Sequence, residues 1–136
     1  MQGSGDINAK DLVAEHHGMP AIAGASPEAM LGALGQATTR IRLGSGGVML
    51  PHYSAYKVAE NFAVLSNLYP GRVDLGVGRA PGADMNAAIA LAADGRPKFE
   101  RFPQLLHTLT EALWSPGFRP RVGPVPFGRI PVWVLG

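Results

Sequence analysis

Three places in the sequence bring together groups that can do chemistry. His16 and His17 follow Leu12-Val13-Ala14-Glu15, an apolar run ending in a carboxylate. An imidazole at a strand end suits acid/base or hydrogen-bonding work near neutral pH. Adjacent side chains on an extended backbone point to opposite faces, and the spacing is not HExxH, so the pair does not chelate one ion and no metal site is expected. A structural histidine fits the same residues. Arg79 follows Gly76-Val77-Gly78 and precedes Ala80-Pro81-Gly82. An arginine just past a strand end can offer a fork of donors to a phosphate, or it can pack over the turn as a surface residue. The glycine spacing here is GxGxxxG, without a ribose-binding acid downstream, which argues against a dinucleotide fold. Gly44-Ser45-Gly46-Gly47 places three glycines in four residues inside an apolar strand. Glycines weaken a strand, so they point to a bulge, an unusual dihedral, or close approach of a ligand to the backbone.

The elements that must carry these groups are legible around Arg40 to Ala80. Ile41, Leu43, Val48, Met49 and Leu50 make a strand of the continuous apolar kind that is covered on both faces. Ser54 can cap a helix in which Val58, Phe62, Leu65 and Tyr69 follow helical spacing, and Pro70-Gly71 ends it. Val73, Leu75 and Val77 form the next strand. This βαβ unit puts both strand C-termini on one edge, where α/β folds bind ligands.

The remaining chain extends the alternation. A short strand is expected at Leu12–Glu15 after a loose, polar Met1 to Asp11. Ser26-Pro27-Glu28 reads as an N-cap, a proline at the first helical position and a first-turn acid, with Met30, Leu31, Leu34 and Ala37 as the buried stripe. Asp84 to Ala93 is a short alanine-rich helix. Phe102, Leu105, Leu106, Leu109 and Leu113 mark an amphipathic one. Four prolines and three glycines between Trp114 and Arg129 exclude a regular element there. A last strand runs from Ile130 to Leu135.

The 136 residues suffice for one domain, with a formal charge of only +2 and scattered basic residues. That pattern argues against a nucleic-acid partner. Without cysteine there are no disulfides or thiolate chemistry. No stretch reads as a signal peptide or a membrane span, and a cytoplasmic protein is the default.

Five stretches in order carry a resemblance. They are AEHH (Ala14 to His17), ATTRIRLGSGGVMLP (Ala37 to Pro51), KVAENF (Lys57 to Phe62), PGRVDLGVGRAPG (Pro70 to Gly82) and PVWVLG (Pro131 to Gly136). As a set they resemble the luciferase-like flavin-dependent monooxygenases, which are (β/α)8 TIM barrels. Such a barrel takes roughly 250 residues, so the resemblance implies a single partial domain over 1–136, holding about half the barrel, roughly strands 2 to 5. It implies reduced FMN as cofactor, with O2 and an aldehyde or another small organic molecule as substrates. It places His16 beside the flavin ring as the catalytic residue, Gly46 and Gly47 beneath the ring, at a non-prolyl cis peptide in many members, and Arg79 on the flavin phosphate. The family's other phosphate-binding residues follow the fifth strand, beyond Gly136, so FMN is expected to bind these residues weakly or not at all. A half-barrel has two open edges and an inner face expected to expose some of Val13, Ile41, Leu43, Leu75 and Val132. A homo-oligomer or a complementing barrel half is therefore the expected partner, and a non-catalytic, self-associating structural module is the alternative reading.

Overall fold

The computed structural model describes residues 10–136. Its strands are β1 (Lys10–Val13), β2 (Arg42–Ser45), β3 (Val48–Met49), β4 (Val73–Gly78) and β5 (Val132–Val134). Every pairing is parallel: β1 with β2, β2 and β3 with β4, and β4 with β5. The helices are α1 (Pro27–Ala37), α2 (Ala55–Leu68), α3 (Met85–Leu91) and α4 (Phe102–Trp114).

β2 and β3 are one strand broken by a bulge. Gly44 pairs with Asp74 and Val48 with Val77. Three residues (45 to 47) thus face two (75 and 76), leaving one extra residue on the glycine-rich strand, as a β-bulge requires. The bulge contains the cis peptide Gly46–Gly47.

Alternation along the strands sorts the two faces. Leu43, Leu75 and Val77 are fully buried and pack with Leu31 of α1, Phe62 of α2 and Leu109 of α4 in a single core. The strand register puts Lys10, Leu12, Gly44, Asp74, Gly76 and Trp133 on the opposite, uncovered face. The expected inner-face residues therefore need correction. Leu43 and Leu75 lie under the helices, and Val13, Ile41 and Val132 are partly buried against the same core. Because side chains alternate with period two, placing the aliphatic set on the wrong face reverses every position.

Local chemistry explains most boundaries. Ser54 accepts the Lys57 amide at 3.2 Å and starts α2. Asp84 accepts the Ala87 amide at 2.8 Å and starts α3. Ser26 departs from expectation, because its side chain makes no cap bond and Pro27 with its fixed φ begins α1 instead. Within α1 the buried residues are Pro27, Leu31 and Gly35, while Met30 and Ala37 are exposed. A Cβ on Gly35 would overlap the Tyr69 ring, so the glycine lets α1 and the end of α2 approach closely. Lys10 and Asp11, within the segment expected to be loose, belong to β1, with the Lys10 ammonium 3.3 Å from Asp74; the rest of that segment lies outside the described residues. The segment after α4 has no regular element before β5 and is tied down by the Trp114 indole donating to the Ile130 carbonyl at 2.9 Å.

Candidate functional site

The C-terminal ends of β1, β3 and β4 meet on one edge of the sheet. Arg79 follows β4, is exposed, and belongs to none of the ion pairs among the described residues. It lines an open cavity of about 470 Å³ with Met49, Gly78, Pro81, Phe99 and Leu135. At the bulge, the Gly46 amide donates to the Val13 carbonyl at 2.8 Å. A Cβ on Gly47 would come within 2.9 Å of the Gly76 backbone and 2.8 Å of Leu135. One on Gly78 would lie 2.7 Å from the Met49 methyl. Of these glycines Gly78 borders the Arg79 cavity, whereas Gly46 lines a separate one and the space over Gly47 is filled by Gly76 and Leu135.

His16 lies just past β1 and is half-buried, with its amide donating to Gly24 at 3.0 Å. The His17 amide donates to the Gly82 carbonyl at 2.9 Å, which seats the turn after Arg79 against the histidine segment. That turn is held a second time by His52, whose Nε2 donates to the Pro81 carbonyl at 2.7 Å. Parallel pairing therefore gathers His16, Gly46, Gly47 and Arg79 at one edge.

Sequence reasoning missed the group at the centre of this edge. Glu15 is 1% exposed. Its Oε2 accepts the Met49 amide at 2.9 Å, and its Oε1 accepts from His17 Nε2 at 2.6 Å and from the Tyr53 hydroxyl. Burial first, and then the hydrogen bond and charge of Glu15, push the Tyr53 phenol well above its ordinary range, so it stays a donor. The available signal was the spacing: residues two apart on extended backbone share a face, which pairs Glu15 with His17.

A second charged group lies at the opposite end of the uncovered face. Asp74 is 2% exposed and receives Nε and Nη2 of Arg42 at 3.0 and 2.7 Å, with Lys10 at 3.3 Å. Burial alone would raise the Asp74 carboxyl, but the hydrogen bonds and charges of Arg42 and Lys10 outweigh it and hold the carboxyl below its ordinary range.

Parallel strands alternating with helices that cover one face, with ligand-type backbone at the strand C-termini, define a segment of a (β/α)8 barrel. The chain belongs to the luciferase-like monooxygenase family, whose model matches residues 11–136. It is 45% identical over 126 residues to a luciferase-like monooxygenase of Escherichia coli strain K12, covering 91% of this chain and 38% of that protein. It is 54% identical over 98 residues to the N-acetyl-S-alkylcysteine monooxygenase of Bacillus subtilis, covering 72% of this chain and 29% of that protein. Among solved structures, apo-MsnO8 superimposes with a TM-score of 0.85 at 38% identity, over 96% of this chain and 40% of that one. The chain thus spans about two-fifths or less of the length of these proteins.

Proposed function

We propose that these residues form the first part of an FMN site in a luciferase-like monooxygenase acting on O2 and a small organic substrate. The observation that carries the reading is an exposed Arg79, outside every ion pair among the described residues, lining a cavity bordered by the Gly78 main chain at the end of β4. A guanidinium with no competing carboxylate can give its donors to a phosphate monoester. Glycine at 47 and 78 lets the Gly76 main chain and the Leu135 and Met49 side chains pack directly against the strand edge beside this cavity. Bound reduced flavin would supply the oxygen chemistry. The chain's own residues would bind, orient and exclude water: Arg79 at the phosphate, Gly46 and Gly47 beneath the ring, and His16 as hydrogen-bonding or proton-carrying group beside it. An aldehyde or a thioether such as the one named in the B. subtilis relative fits the substrate class.

The test is equilibrium binding of FMN and riboflavin to a chain extended to the full barrel and to its Arg79→Ala variant, with these 136 residues alone expected to bind FMN weakly or not at all. The arginine contact predicts that FMN binds more tightly than riboflavin and that Arg79→Ala weakens FMN by roughly 10- to 100-fold. It also predicts that riboflavin is unaffected. Equal affinities for the two flavins would remove the phosphate role of Arg79.

A second reading is favoured by the uncovered sheet face, where Leu12 and Trp133 are 62% and 55% exposed. They suit burial against a complementing barrel half or a second copy of the chain. No helix among the described residues is long and apolar enough to cross a membrane.

A further inference from the structure

We propose that Glu15 is the positioning residue of this site, fixing the His17 ring through Nε2 and tying the histidine segment to the strand that carries Gly46 and Gly47. The assignment rests on the flavin-site reading for its purpose, whereas its test does not involve flavin.

The argument begins with donors and acceptors. An ionised carboxylate only accepts hydrogen bonds. Oε2 is filled by the Met49 amide, and Oε1 by the Tyr53 hydroxyl and His17 Nε2. Nε2 must therefore carry a proton, which leaves Nδ1 as the acceptor nitrogen of the neutral ring. Tyr53 has a single hydroxyl proton and gives it to Glu15. Its oxygen, 3.3 Å from Nε2, is then a second acceptor for the imidazole proton and not a rival donor. The phenol is held in its neutral, donating form by burial and by Glu15 itself.

Two of the three donors come from segments that carry a site residue, and the third anchors the start of a core helix. His17 follows His16, Met49 lies two residues beyond Gly47, and Tyr53 leads into α2. The turn after Arg79 joins the same assembly, because a Cβ on Gly82 would lie 2.7 Å from the Glu15 carbonyl and the Gly82 carbonyl accepts the His17 amide. A carboxylate is costly to bury unless its lone pairs are filled. Here filling them fixes the relative placement of β1, β3 and the β4 turn at their shared edge.

The experiment is histidine-selective NMR on the chain, Glu15→Gln and Tyr53→Phe, without flavin. It follows ring-proton exchange and the site of protonation for His16, His17, His52 and His107. In the native chain the His17 Nε2 proton is expected to exchange roughly 10- to 100-fold more slowly than that of the exposed His107, the factor expected of a hydrogen bond to a charged acceptor. Glu15→Gln should bring exchange close to the His107 rate and admit the second tautomer, while the His52 proton on Pro81 is unchanged. Tyr53→Phe keeps the carboxylate and should keep the His17 proton protected. Exchange as fast as His107 in the native chain would overturn the assignment, and so would full protection in Glu15→Gln. Should Glu15→Gln fail to fold, the native chain and Tyr53→Phe still decide: both must show the protected Nε2 proton.

Discussion

The Ser45 hydroxyl bridges the main chain of Gly76 on the neighbouring strand, donating to its carbonyl at 2.8 Å and accepting from its amide at 3.0 Å. At this point the bulge leaves one residue of β2 and β3 without a ladder partner. The side chain supplies the donor and acceptor that the broken ladder withholds.

Ser45→Ala is therefore expected to leave both Gly76 groups unpaired in a buried place. The cost is about 1–3 kcal/mol, the range for unsatisfied buried polar groups. Urea unfolding should show a lower midpoint with an unchanged slope. A variant as stable as the parent would mean that another group takes over the Gly76 main chain.

The barrel segment was readable from sequence where punctuation and periodicity agree. Pro51, Ser54 and Pro70-Gly71 bracket α2, and the apolar spacing of Val58, Phe62 and Leu65 survives as its buried face. Gly46 and Gly47 announced the bulge because so few uses explain paired glycines in a strand. The faces of the strands were harder to read. Leu12 lies on the uncovered side over Gly44 while Leu43 lies beneath the helices, so apolar character alone does not choose a face. Glu15 and Asp74 gave no periodic signal either. Glu15 meets its Tyr53 partner 38 positions along the chain, and Asp74 meets Arg42 32 positions away. Only the folded pairing of strands makes such buried carboxylates intelligible.

Asp74 should make the fold acid-sensitive. Its folded carboxyl titrates below the ordinary value, so the stability it contributes is present above an unfolded value of about pH 4 and is lost as pH falls through the lower folded value. Asp74→Asn should destabilise the chain near neutrality by about 1–2 kcal/mol. This is less than for a fully buried pair, because Arg42 and Lys10 remain 29% and 38% exposed. The difference from the parent should shrink as the pH is lowered below about 4. A constant difference across that window would show that Asp74 acts by packing and not by charge.

The uncovered face should drive association. Leu12, Trp133 and Leu135 are 62%, 55% and 40% exposed and line one cavity of about 300 Å³ with Gly46 and Gly76. Burying side chains of this size yields roughly 1.5–3 kcal/mol each. Light scattering at micromolar concentration should find dimers or larger species, and Trp133→Ser should shift them toward monomer and reduce binding of a hydrophobic dye. A monodisperse parent that binds no dye would contradict this account of the face.

The most direct test of the central claim is to map FMN onto the chain by amide NMR, with riboflavin as the ligand lacking phosphate. The flavin-site account predicts FMN-induced shifts at Gly46, Gly47, Gly78 and Arg79, weakly saturating, smaller with riboflavin at Gly78 and Arg79, and lost there in Arg79→Ala. Shifts scattered away from this edge, or identical in Arg79→Ala and with riboflavin, would contradict it.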